Sequence, residues 1–294
     1  MNLLQPDCTG IGFGHMGGDM KLRQQTKQKI ESGWQYDVLF GNGLANHLPM
    51  ALSALDFMGA DGEQITRFHD HYCRKLEPLR PVSSTVKLQQ EDIEAKLGKR
   101  DLFLSYLHFF RDEIGTKGIE SVLGSYLDLL FPGVAASAFH PLIRLAYALE
   151  MNNEEEVAIS LAFWGSEFQS SGQIGSPTAY QLQDIFTVFG KRFLDFKPNP
   201  GIIAEKIRQV SREGDFKVEQ IQPKSFVLDQ VAALTLELFL QNGDFILLHG
   251  ITATHAMRIV LPFSRHPGHA IRCFWQAMLA AVLVILFFLK SFSV

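Results

Sequence analysis

The stretch FILLHGITATHAMRIVL, residues 245–261, is apolar on nearly every face of the helix it would form. A helix of that kind belongs at the centre of a core. It carries two histidines, His249 and His255, and one lone arginine, Arg258. Its neighbours are also helical in pattern. SFVLDQVAALTLELFLQ (225–241) precedes it and is stopped by Asn242-Gly243. AMLAAVLVILFFL (277–289) follows, thirteen apolar residues in a row. Thirteen is short of the ~20 needed to cross a bilayer and suits a buried core helix. Counted back to Phe274 the run reaches sixteen with Gln276 inside, which keeps a tail anchor over 274–289 as an alternative.

Outward from there, the periodicity is almost entirely helical. Helices are predicted at HLPMALSALDFMGA (47–60), ITRFHDHYCRKL (65–76), DLFLSYLHFFRDEI (101–114) and GIESVLGSYLDLLF (118–131). Others are predicted at PLIRLAYALEM (141–151), EEEVAISLAFWGSEF (154–168, capped by Asn153), AYQLQDIFTVFGKRF (179–193) and IIAEKIRQVSRE (202–213). DFKVEQI (215–221) alternates and could be one short strand. No fixed repeat and no long Gly- or Pro-rich linker divides the chain. The expected fold is all-α, a single irregular multi-helix domain over 31–294 behind a flexible arm at 1–30.

The arm contains GFGHMG (12–17), the spacing of a dinucleotide-binding turn. That turn works only between a buried strand and a sheet-packing helix. Pro6 and Asp7 stand where the strand should be, and the following segment has too few apolar residues for such a helix. A nicotinamide cofactor therefore has no seat there.

The chain has 294 residues, 47% hydrophobic and 20% charged, enough for a substantial core. A net charge of −4 gives no basic footprint for nucleic acid. Three scattered cysteines, Cys8, Cys73 and Cys273, suggest a reducing compartment, and no secretory leader is evident. The expected location is the cytoplasm.

Ten histidines are present. His69 and His71 lie on a polar helix and are expected to be solvated. His108 sits on a core-facing helix, and His266 and His269 in a loop. Four others carry more chemistry. His47 and His140 stand just before Pro49 and Pro141, so both imidazoles fall at helix N-termini. The positive end of the macrodipole keeps such a ring neutral, the form that donates a lone pair to a metal. His249 and His255 lie on the apolar helix and need partners there. Each of the four could be a hydrogen-bonded core residue or a metal ligand. As ligands on a straight helix, His249 and His255 would point about 120° apart and be separated by about 9 Å. A shared site requires an irregularity near Gly250. Arg144 and Arg258 are lone cations in apolar helices. Either could clamp an anionic or phenolic substrate, or pair internally with Glu150 or Glu237.

Taken together, NHLPMAL (46–52), FHPLIRLAYAL (139–149) and LHGITATHAMR (248–258) resemble the questin oxidase family in residues, order and separation. The resemblance runs from about residue 34 to 281. It implies a predominantly helical oxidoreductase that opens polycyclic aromatic or polyketide-type rings with O2. It also implies Fe(II) at His47, His140, His249 and His255, with NADPH as a further cofactor in some members. The family's additional carboxylated lysine has no match in FFLKSFSV, where Lys290 is the only lysine after Lys224. A relic acting as a small-molecule binding module is therefore an alternative expectation.

Overall fold

A computed structural model describes residues 22–80 and 85–289, with side chains through residue 285. GFGHMG and Lys290 lie outside the described residues. Thirteen α-helices are described: α1 Gln24–Ser32, α2 Leu48–Phe57, α3 Gly62–Cys73, α4 Ile93–Lys96, α5 Phe103–Lys117, α6 Ile119–Leu130 and α7 His140–Glu150. They continue with α8 Glu154–Ser166, α9 Leu182–Arg192, α10 Ile203–Arg212, α11 Leu228–Asn242, α12 Phe245–Val260 and α13 Pro267–Leu289. The sheet is one antiparallel hairpin, β1 Leu39–Phe40 and β2 Leu44–Ala45, paired Leu39 to Ala45 and Phe40 to Leu44. The all-α expectation holds. DFKVEQI forms a 3-10 turn at Val218–Gln220 instead of a strand. The last part of the expected arm, from Gln24, is helical and docks through buried Thr26 and Ile30.

One core runs from Val38 to Ile285. Within it α5 packs on α8, α8 on α7, α7 on α12 and α12 on α11, while α13 packs on α10 and α12. A smaller cluster joins α1, α2 and α3 through Ile30, Leu48, Leu52, Ile65 and Tyr72. The most enclosed helices are α8, buried from Glu156 to Ser166, and α13, buried from Cys273 to Ile285. Asn153 caps α8 by accepting from the Glu156 N–H at 3.0 Å. The apolar C-terminal run is thus a core helix as far as its side chains are described. Both α12 with its 3-10 extension and α13 are long and apolar enough to cross a membrane, yet 78% of the α13 window is buried inside the fold. Its polar residue is satisfied there: Gln276 Nε2 donates to the Ser171 carbonyl at 2.7 Å.

The central position expected for 245–261 needs correction. Helix α12 is unbroken at Gly250 and only half buried. Phe245, Leu248, Thr252, His255 and Arg258 form its exposed stripe, spaced as a 3.6-residue period dictates.

The backbone departs from the ordinary just before α7. Ser137, Ala138 and Phe139 have φ of 43°, 57° and 67°, three consecutive left-handed residues without a glycine. Each such residue costs roughly 1–2 kcal/mol. Burial of Phe139 against Phe274, ring centroids 6.0 Å apart, helps to hold the turn. Glycine at Ala138 would relieve this cost while increasing the entropy of the unfolded chain. Ala138→Gly should therefore leave stability within about 0.5 kcal/mol of wild type, whereas Ala146→Gly inside α7 should cost about 1 kcal/mol or more. Urea unfolding of both variants checks the contrast.

Candidate metal centre

Three helix starts deliver three imidazoles to one place. His47 is the N-cap of α2, His140 the first residue of α7, and His249 lies in the second turn of α12. One ring nitrogen from each lies within 4.8 Å of the others. The His47 and His140 rings meet edge to face at 4.6 Å, and His140 and His249 at 5.0 Å.

The other nitrogens are all engaged by backbone. His47 Nδ1 contacts the Ala45 carbonyl at 2.7 Å, His140 Nδ1 the Ser137 carbonyl at 2.5 Å, and His249 Nδ1 the Phe245 carbonyl at 2.7 Å. A carbonyl only accepts, so each Nδ1 must carry the proton. The hairpin supplies the first carbonyl, the left-handed turn the second, and the previous turn of α12 the third. In a neutral ring this leaves Nε2 with a bare lone pair. His47 Nε2 and His140 Nε2 are nevertheless only 2.8 Å apart. Two lone pairs at that distance repel unless a proton or a metal ion lies between them.

Burial argues against the proton. His140 is 6% exposed, and desolvation pulls its pKa down to about 3, helped by the nearby His47 and His249. Desolvation also lowers His47 and His249, against the opposing effect of their carbonyl hydrogen bonds. The donor set therefore fits a divalent metal: neutral imidazoles with the remote nitrogen anchored, the arrangement that fixes tautomer and ring orientation in metal sites.

The trio stands between two cavities. One, of about 340 Å³, is walled by Met50, Ile143, Tyr147, Leu248 and Thr252. The other, of about 460 Å³, opens on the hairpin and the start of α10. His47, His140, Phe245 and His249 line both.

The remaining expected site residues lie elsewhere. His255 is 64% exposed and faces Glu150 at 4.0 Å. With α12 straight, six residues carry its ring to another face. Arg144 is buried but faces a partner of its own. Its Nε donates to Glu156 Oε2 at 2.8 Å and Nη2 to Oε1 at 3.1 Å, while Trp34 Nε1 donates to the same carboxylate. In the structure Arg144 forms an ion pair, with Glu156 in place of Glu150 or Glu237. Arg258 pairs with Asp229 on the surface at 2.7 Å, because it lies on the exposed stripe. Neither arginine lines the histidine cavities. His108 is exposed, whereas His69 is largely enclosed and bonds Ser32 and Asp70. The anchoring carbonyls of Ala45 and Ser137 left no signal in the sequence, since every residue has a carbonyl and ASAF contains no glycine to mark a left-handed turn.

Residues 44–185 match the family described as questin oxidase-like. The span encloses His47 and His140 and ends before His249. The chain is similar to Baeyer-Villiger oxidase ptaJ of Pestalotiopsis fici, 24% identical over 159 residues, covering 51% of this chain and 35% of that protein. It is similar to questin oxidase of Aspergillus terreus, 28% identical over 127 residues, 40% of this chain and 28% of the relative. Oxidoreductase AflY of Aspergillus parasiticus is 31% identical over 130 residues, 41% of this chain and 26% of the relative. The aligned region thus spans about a third or less of these relatives.

Neutrality of the imidazoles sets a pH dependence. An unfolded histidine takes up a proton near 6.5, whereas folded His140 resists until about 3. Its contribution to stability is full above pH 6.5 and is lost as pH falls toward 3. The metal-free protein should lose on the order of 1 kcal/mol per pH unit through His140 below pH 6. Replacing His140 by Asn should flatten that slope in urea titrations at stepped pH; an unchanged slope would place the proton uptake elsewhere.

Proposed function

We propose, from the match of residues 44–185 to the family described as questin oxidase-like, that the chain is an oxidoreductase that cleaves an aromatic, polyketide-type small molecule with O2 at a non-haem Fe(II) held by His47, His140 and His249. One observation carries the reading: the 2.8 Å approach of two Nε2 atoms whose Nδ1 partners are already committed to carbonyls. The names of the relatives, oxidase and oxidoreductase, support the reaction class.

Three neutral imidazoles suit Fe(II), Zn(II) and Cu(II) alike; a redox-active ion, iron or copper, would supply the electron exchange with O2 that the proposed oxidation requires and zinc would not, and iron is the one of the two that the family resemblance implies. The protein's own contribution is positioning and water exclusion. The carbonyls of Ala45, Ser137 and Phe245 fix ring rotation, so the open side of the histidine set is fixed as well. Apolar walls from Met50, Ile143 and Phe245 reduce the water that reaches the reacting atoms. The Arg144–Glu156 pair holds α7 to α8 and thereby sets the height of His140. Free thiols at Cys73 and Cys273 suit a reducing compartment, and we propose the cytoplasm.

Metal analysis after purification without added metal tests the centre. Wild type should carry Fe, and His249→Ala should weaken its binding about 100-fold or more. His255→Ala and Arg258→Ala should retain wild-type metal content, since both side chains lie outside the cluster. Wild type without metal that also fails to take up Fe(II) would refute the proposal. Metal without O2 uptake across phenolic aromatics would instead favour the binding-module alternative.

A further inference from the structure

The 460 Å³ cavity contains two polar groups that the histidine centre does not use. The Tyr72 hydroxyl accepts a hydrogen bond from the His47 backbone N–H at 3.0 Å. Its own proton meets no acceptor among the described residues. Lys75, two residues beyond the end of α3, places Nζ 3.9 Å from the Tyr72 ring centroid and 5.5 Å from that of Phe40. Among the described residues no carboxylate lies within 4 Å of that ammonium. Aromatic faces hold a cation in position without neutralising it.

The two cavities consequently differ in kind. Apart from the shared histidines, no ionisable side chain but Tyr147 lines the smaller one. The larger one has an unneutralised ammonium at its edge, a free hydroxyl proton beside it, and apolar walls from Phe40, Ile202, Ile203 and Phe245. A volume of about 460 Å³ falls within the range of small-molecule sites, roughly 300–1,000 Å³. An aromatic ring bearing an anionic oxygen matches that combination. The ring of such a ligand would lie against the apolar wall, and its oxygen would receive a charge-assisted bond.

We infer that the larger cavity is the organic-substrate side of the centre, and that Lys75 and Tyr72 select a planar aromatic carrying an ionised phenol or carboxylate. The inference rests on the proposed oxidoreductase and names its substrate class. Lys75 acts as a positioning residue at one end of the ligand, with the histidines at the other.

The test uses the full metal-loaded chain with 2-naphthoate and its neutral counterpart 2-naphthamide, titrated by calorimetry. Wild type should prefer naphthoate by about tenfold or more. Lys75→Met should shrink the preference to about threefold or less while leaving naphthamide affinity nearly unchanged, and Lys75→Arg should restore most of it. Tyr72→Phe should weaken naphthoate by about threefold to tenfold. A preference that survives in Lys75→Met, as direct binding of the carboxylate to the metal would give, overturns the inference. So does a wild type with no preference. Metal content, measured on the same samples, reports on the histidine centre separately: it should match wild type in every variant, and a metal-free wild type that still shows the Lys75-dependent preference would sink the oxidoreductase reading alone.

Discussion

A backbone carbonyl can only accept a hydrogen bond, and three of them fix the tautomers of this protein's histidine cluster. Ala45, Ser137 and Phe245 each take the Nδ1 proton of one histidine, which leaves three Nε2 lone pairs pointing into a common space. Lone pairs at 2.8 Å repel one another. The fold holds them there through packing, an arrangement that would suit a shared cation.

Much of the surrounding architecture can be understood as support for that arrangement. The hairpin of Leu39–Phe40 and Leu44–Ala45 fixes one carbonyl at the entrance to α2. The left-handed run from Ser137 to Phe139 turns a second carbonyl back on His140 at a cost that Phe139 burial offsets. The buried Arg144–Glu156 pair, shared with Trp34, couples α7 to α8. A buried ion pair gives little net stability, but its directionality fixes one relative placement of the two helices. The trio lies between two cavities whose walls are mainly apolar.

Residues near in sequence parted company here, and distant ones met. His249 and His255 share a helix, yet only His249 reaches the centre. Helix α12 stays straight past Gly250, so the geometry of 3.6 residues per turn sends His255 to the exposed stripe with Arg258. His47 and His140, 93 residues apart, are in hydrogen-bonding range. Arg144 found its carboxylate twelve residues away on the next helix instead of on α11 or at the end of its own.

Local patterns in the chain settled the helical class, most helix positions and the Asn153 cap, because periodicity and capping are short-range properties. They also settled that His47 and His140 stand at helix starts, since Pro49 and Pro141 mark those starts directly. Tertiary structure decided which histidines converge, which arginine is buried and with which acid, and how Ser137 presents its carbonyl. Those outcomes depend on helix rotation and on long-range packing, where an error of one residue turns a side chain by about 100°. Residue identity names the possible ligands; the angle at which each helix meets its neighbours selects among them.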